Sequence, residues 1–506
     1  MCAILAVINY PFKLDNCITS LNAMTHRGPD KQKYFANSNV FLGHNRLSIL
    51  DLNPRSDQPF FDDDFIMIYN GEVYNYEQLI IDHALDVKTK SDTEVVLAMY
   101  KKFGEACLGY FNGMFAFVIY NQRTGDVFVA RDRLGIKPLY YFNSADNWII
   151  SSEISSIISL KDCSFDEFGI RQYKKLRMTI KGYTIYKEIK MFHPGHFMIN
   201  GKIKQYWNLY VTKKEPPNDE EFRSLLEDSV KLRKRSDVDI GSYLSGGLDS
   251  TILTAMLRPR NTWTVGFEEL NEFNWADLAS RNLKTIHHKT IVNIKLFLET
   301  AEWMIAKRRE PLSVPNEILI YLMTKNVKKE NTVILSGEGA DELLYGYDRI
   351  FKWAYKANEI QLKLFDEKYC YGTHKDDEVL DFALEGIRGN TVLDKIEYFF
   401  QIHHLHGLLR RLDNSTMLCS VEARVPFVDH RLVELISGAP FEWRMGKTFK
   451  EPLKRVFSNL IPKKIIDRKK VGFPAPLDLI FNDYKSTDLT PMDSWLNFNM
   501  SKLGIA

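Results

Sequence analysis

Two hydrophobic rhythms divide the chain. In the first, short β-branched and aromatic runs at 2–10, 41–50, 65–70, 114–120, 127–130, 139–142 and 148–152 are separated by turn residues or short helical patterns. Such spacing predicts a mostly antiparallel α+β half. Helices are expected at 17–24 and at 92–102, where an acidic start complements the positive end of the helix dipole. A turn at Phe192-His-Pro-Gly195 leads into a last hairpin, 197–199 with 203–206. Lys213-Lys-Glu-Pro-Pro-Asn-Asp219 then reads as a linker, with Asp219 capping an amphipathic helix over 220–232. The domain boundary is therefore expected at residue 210, giving domains 1–209 and 210–506.

Beyond the boundary, apolar runs at 240–244, 262–265, 286–291 and 332–335 alternate with helical stretches at 251–257, 275–283 and 296–306. That alternation predicts an α/β doubly wound parallel sheet with additional helices, whose ligands bind beyond the C-terminal ends of the strands. Residues 351–400 read as helical, rich in aromatics and charges, and offer no site.

Composition then removes function classes. A chain of 506 residues exceeds one hydrophobic core. With 67 basic against 65 acidic residues, the net charge of +2 gives no field for nucleic acid or a membrane surface, so small-molecule partners are expected. Six cysteines, at 2, 17, 107, 163, 370 and 419, show neither metal-type pairing nor the density of a secreted scaffold, and a reduced, cytoplasmic setting follows. No apolar run approaches the roughly 18 residues of a membrane span, and the start lacks the basic segment of a signal peptide. His287-His288 and His403-His404-Leu-His406 lack zinc-protease spacing and read as structural. Gly446-Lys-Thr448 is no Walker loop, because Phe441 stands where its first glycine belongs.

The chemistry concentrates in two places. Tyr243-Leu-Ser-Gly-Gly-Leu-Asp-Ser250 reads as a strand entering a glycine loop that opens a helix. Gly246 and Gly247 free backbone N–H groups for an anion, and Ser245 and Ser250 add hydroxyl donors. Asp249 would repel phosphate unless a cation intervenes, which points to a magnesium-bound nucleotide. The second place is Cys2. Taken alone, a second-position cysteine is most simply a small apolar residue starting a buried strand. Once Met1 is removed, however, its own α-amino group can take the thiol proton, so nucleophile and base share one residue.

Downstream of Cys2 stand His26-Arg-Gly-Pro-Asp30, Asn45-Arg-Leu-Ser-Ile-Leu50, Tyr69-Asn-Gly-Glu-Val-Tyr74, Lys90-Ser-Asp-Thr-Glu94 and Arg131-Asp-Arg-Leu-Gly-Ile-Lys-Pro138. In this order they resemble the class II glutamine amidotransferases, and the resemblance implies an Ntn-hydrolase-type αββα sandwich. It also implies that Cys2 attacks the glutamine amide, with the Asn70 side chain and the Gly71 N–H as oxyanion hole. Glutamine would be bound by Arg46 at its α-carboxylate, by Glu72 and Asp92 at its ammonium, and along Leu47. His26 and Asp30 read as loop scaffolding.

The glycine loop together with Ser336-Gly-Glu-Gly-Ala-Asp-Glu342, Val421-Glu-Ala-Arg-Val-Pro-Phe-Val-Asp429 and Arg468-Lys-Lys-Val-Gly-Phe473 resembles the ATP pyrophosphatase domain of asparagine synthetases. That resemblance implies ammonia transfer to an aspartate β-carboxylate activated as an acyl-adenylate. Leu244, Val265, Ser336 and Gly337 would contact adenosine, and Ser245, Gly246, Gly247, Asp249 and Ser250 the phosphates. Asp249 and Asp341 would share Mg2+, Glu338 would lie near the activated carboxylate, and Lys470 would neutralise the α-phosphate. Arg411 and Arg424 are candidates for the acceptor's α-carboxylate. Asn414 stands where many relatives carry a basic residue, and Leu270-Asn-Glu-Phe-Asn-Trp275 also departs from some asparagine synthetases, so another carboxylate such as a sugar acid is the alternative acceptor. Glutamine, ATP and the acceptor are the expected partners, and a homodimer is an allowed assembly.

Overall fold

Strand alternation in the first half builds two six-stranded antiparallel sheets. The computed structural model describes residues 2–209, 212, 214–446, 448–469, 475–481 and 489–505. One sheet centres on the strands Asn147–Ser151 and Ala3–Ile8, with Val40–Arg46 beside the latter, the other on Val127–Arg131 and Gly113–Asn121, with Phe65–Val73 beside the latter. Because side chains alternate along a strand, Ile4, Ala6 and Ile8 meet Ile66, Ile68, Ala116 and Val118 between the sheets. Ala3, Leu5 and Val7 face outward onto Cys17, Leu21, Ile154 and Ile157 of the helices Leu14–Ala23 and Ile154–Ile158. On the other outer face, Met67, Tyr69, Phe115 and Phe117 pack on Val95, Val96 and Met99 of the helix Asp92–Phe103. The result is four layers, helix, sheet, sheet, helix. Each fully buried Leu, Ile, Val or Phe contributes about 1.5–3 kcal/mol.

The second half holds one five-stranded parallel sheet in the order Ile286–Val292, Asn261–Phe267, Ile240–Tyr243, Val333–Leu335, Glu422–Arg424. Strand order reverses at Ile240–Tyr243, which opens a crevice between the loops after that strand and after Val333–Leu335. An apolar cluster crosses between the halves, joining Leu47, Ile49, Met114 and Ile136 to Leu244, Leu335, Leu405 and Ala423. Buried ion pairs cross there as well: Asp413 meets Arg27 at 2.7 Å and Lys137 at 3.3 Å.

Several elements differ from the sequence expectation. The cap of the helix Asp219–Leu232 is Asn218, whose side chain accepts from the Glu220 N–H at 2.8 Å; Asp219 is instead the first helical residue and pairs with Arg455. The strand Lys31–Ala36 escaped notice because its mixed, largely exposed side chains carry no apolar run. Glu422–Arg424 escaped because three residues are too few to show a period. Residues 351–400, expected to hold no site, wall the main cavity with Lys368, Tyr369, Tyr371 and Phe400. Among the described residues no helix is long and apolar enough to cross a membrane.

Candidate active sites

Cys2 directly precedes the strand Ala3–Ile8 and is buried, with its backbone N–H donating to Asn70 Oδ1 at 3.0 Å. Asn70 is fully enclosed, and its Nδ2 has no hydrogen-bond partner among the described residues. An amide donor held by its own oxygen and left unspent at its nitrogen suits a developing oxyanion. Burial pushes the Cys2 thiol up, while the Leu47 backbone N–H and the Arg46 charge pull the other way. Gly71 is forced by backbone proximity: a Cβ there would come within 2.3 Å of the Met114 carbonyl.

Arg46 is held by Asp57 at 2.7 Å and by the carbonyls of Asp51 at 2.5 Å and Asn53 at 3.1 Å. Asp92 accepts from the Tyr69 hydroxyl at 2.6 Å and the Val73 N–H at 2.8 Å; the helix cap is Ser91. Burial, opposed by these two bonds, pushes the Asp92 carboxyl up to about 6. Burial and then the Asp92 charge hold Glu72 well above the carboxylate range. Its counter-ion comes from the other half: Arg424 Nη2 lies 3.5 Å from Glu72 Oε2.

The second site forms at the crevice. Helix Leu248–Leu257 starts directly after Gly247, putting Asp249 in its first turn. Ser245 Oγ accepts from the Gly247 N–H at 3.2 Å and lies 3.1 Å from Ser250 Oγ. Gly246 has φ +70°, and a Cβ there would lie 2.2 Å from the Trp275 carbonyl carbon, so the turn admits only glycine. Arg468 braces it, donating to the Gly246 carbonyl at 3.0 Å and stacking on Trp275 at 4.9 Å. Leu244, Ser245, Gly247, Asp249, Ser250, Val265, Ser336, Gly337, Glu338 and Asp341 all line a cavity of about 650 Å³. Two carboxylates there converge on one cation: Lys450 Nζ is 2.5 Å from Asp249 Oδ2 and 2.5 Å from Asp341 Oδ1. Arg411 Nη2 pairs with Glu338 Oε1 at 2.8 Å.

Residues 1–210 match the family model of the glutamine amidotransferase domain, and residues 221–487 that of asparagine synthase. The chain belongs to the asparagine synthase family. It is 31% identical to asparagine synthetase (glutamine-hydrolyzing) 1 of Bacillus subtilis, with 94% of this chain and 87% of that protein covered. It is 30% identical to asparagine synthetase (glutamine-hydrolyzing) of Gallus gallus, with 94% and 84% covered. Among solved structures, the glutamine phosphoribosylpyrophosphate amidotransferase of B. subtilis matches 57% of this chain and 65% of its own at 14% identity, with a TM-score of 0.32.

In this asparagine synthase family member the two halves of a glutamine-fed, amide-forming ligase stand in one chain. Not every sequence candidate joins a site. Arg424 does not line the cavity; its side chain turns to Glu422 at 2.6 Å and to Glu72, because the parallel strand that carries it runs along the seam between the halves. Asn414 is buried outside the cavity wall. Met1 and Lys470 lie outside the described residues. His404 lines the cavity, its Nδ1 2.9 Å from the Tyr369 hydroxyl, and among the described residues no cluster of three metal-type ligands forms around it or elsewhere.

Sequence reasoning missed Lys450 and Glu422. Lys450 sits two residues beyond the rejected Walker-like stretch, and no spacing rule marks it. Against the cost of burial, Arg424 pulls the Glu422 carboxyl down to about 2, so a carboxylate from the second half lies within electrostatic reach of Cys2, Glu72 and Asp92.

Proposed function

We propose that the chain makes asparagine from aspartate, with glutamine as nitrogen donor and ATP as activator, in an Ntn-hydrolase-type domain over 1–209 and a synthetase domain over 210–506. Cys2 Sγ attacks the glutamine amide carbon after its proton passes to the free Cys2 amine, and the tetrahedral oxyanion is received by Asn70 Nδ2 and the Gly71 N–H. Collapse releases ammonia, and water then frees glutamate from the thioester. Arg46, Leu47, Glu72 and Asp92 hold the glutamine backbone end.

In the second site an aspartate β-carboxylate oxygen attacks the α-phosphorus of ATP, and pyrophosphate leaves. Ammonia then attacks the acyl carbon, and AMP leaves. Leu244, Val265, Ser336 and Gly337 cradle adenosine, while Ser245, Gly246, Gly247 and Ser250 present donors to the phosphates. Oxygen donors from Asp249 and Asp341 suit a hard divalent ion such as Mg2+, and their convergence on one point supports a place for it. Bound there, the ion would supply charge neutralisation at the phosphates. Glu338 and Arg411 face the acceptor, and Lys470 serves the α-phosphate by family likeness alone.

The observation that carries the reading is the cavity at the strand-order reversal, where both loops meet in the same chain as the Cys2–Asn70 pair. The apolar cluster that crosses the seam supports direct passage of ammonia between the two sites.

A second reading, another carboxylate as acceptor, is favoured by the cavity's outer wall. Arg177 stacks on Tyr371 at 4.3 Å and on Tyr369 at 5.3 Å, and Lys368 adds a further cation. Pyrophosphate release measured against a panel of carboxylic acids decides between them. Aspartate should give turnover with ammonium or glutamine; turnover with a sugar acid and none with aspartate would overturn the first reading.

A further inference from the structure

Lys450 is placed with more care than a chance surface cation. It is 2% exposed, it occupies the left-handed region at φ +57° and ψ 35°, and its backbone N–H donates to the Leu344 carbonyl at 3.2 Å. Gly346 opens the slot through which its stem and Asp341 approach: a Cβ there would come within 1.7 Å of Asp341 Oδ1 and 2.8 Å of Lys450 Cε. At the end of that slot the ammonium touches both Asp249 and Asp341 at 2.5 Å.

A divalent ion coordinating the same two oxygens would have to stand where the ammonium stands. The two cations cannot share the point, because like charges at contact distance repel strongly in a partly buried site. Nor can the lysine simply withdraw. A buried ammonium separated from its carboxylates needs another anion, since breaking a buried pair leaves an uncompensated charge. The donors of the glycine loop show where such an anion would arrive: Ser245 and Ser250 line the cavity beside Asp249.

We infer that Lys450 is a built-in counter-cation of the Asp249–Asp341 pair that competes with the divalent ion for the same carboxylates, so that metal and nucleotide enter together. This rests on the reading of Asp249 and Asp341 as metal ligands. Without nucleotide, the ammonium holds the pair and metal binds weakly. With nucleotide, the phosphates offer the ammonium a new partner and the carboxylates become available. Metal and nucleotide affinities are then coupled through one side chain, and linkage makes the coupling reciprocal.

The test is Mn2+ binding to the full chain, followed by electron paramagnetic resonance with and without a non-hydrolysable ATP analogue. Wild type should bind Mn2+ weakly alone and tightly with the analogue. In Lys450→Met, nucleotide-free Mn2+ affinity should rise by about tenfold or more, within the usual range of such couplings, and Mn2+ alone should raise its melting temperature more than that of wild type. Lys450→Arg, which keeps a cation, should stay near wild type. The double variant Lys450→Met with Asp249→Asn relieves the unpaired charge, guarding against misfolding, and should lose the gain. Equal nucleotide-free affinity in wild type and Lys450→Met would overturn the inference while leaving the metal site standing, and a gain that survives in the double variant would overturn both the inference and Asp249 as a ligand. If wild type takes up no Mn2+ even with the analogue, the metal reading falls and this inference with it.

Discussion

Asn70 offers the sharpest test of the glutaminase geometry, because its two ends have separable tasks. The oxygen accepts the Cys2 N–H at 3.0 Å, and the nitrogen has no partner among the described residues. Asn70→Asp keeps an acceptor for Cys2, removes the donor and places negative charge where the oxyanion develops. Asn70→Ala removes both ends and leaves the Cys2 N–H without its acceptor, a stability cost of about 1–3 kcal/mol for a buried donor. Loss of one oxyanion donor slows the chemical step by about 10²–10³, or about 2.7–4 kcal/mol of transition-state stabilisation. Asn70→Ala should therefore lose that much glutaminase kcat with little change in glutamine KM, since the bond is made only in the transition state. Asn70→Asp should be slower still. The assay is glutamate release, paired with ammonium-dependent pyrophosphate release, which should remain at the wild-type rate in both variants. Glutaminase kcat within about fivefold of wild type in both variants would refute the oxyanion role, because such a change is only about 1 kcal/mol.

Cys2→Ala should abolish glutamine-dependent amide formation and spare the ammonium-dependent reaction; loss of both, measured as product formed, would contradict the division between the two sites. Asp249→Asn should stop pyrophosphate release with either nitrogen source, and continued release would remove Asp249 from the phosphate site. Gly246→Ala puts a Cβ 2.2 Å from the Trp275 backbone at a φ that favours glycine, so ATP affinity should fall by about tenfold or more, which corresponds to about 1.4 kcal/mol; equilibrium binding checks this. Burial pushes the Asp92 carboxyl up to about 6, above the usual carboxylate range. It is anionic above that pH and neutral below it, so glutamine KM should rise by up to about tenfold per unit as pH falls below 6, while the ammonium-dependent reaction shows no matching change.

The legible part of the chain was the part written in local pattern. Strand alternation from Ala3–Ile8 onward, the change of rhythm near residue 210, and the glycine loop before Leu248–Leu257 all follow from contacts and dihedral needs within a few residues. Short or solvent-facing elements such as Lys31–Ala36 and Glu422–Arg424 carry too little apolar signal to be read that way. Residues 351–400 misled for a related reason: their aromatics read as helix packing, and nothing local reveals that Tyr369 and Tyr371 close a cavity begun more than a hundred residues earlier.

By itself the sequence determined the two folding patterns and the paired loops at Ser245 and Ser336, and it marked Cys2 as the candidate nucleophile, because turns, periodicity and motif spacing are properties of neighbouring residues. Only the tertiary structure decided that Arg424 pairs with Glu72 across the seam and that Lys450 holds Asp249 and Asp341 together. Those assignments are made by charges brought together in low-dielectric space, and the cost of burying a charge unpaired depends on groups far away along the chain.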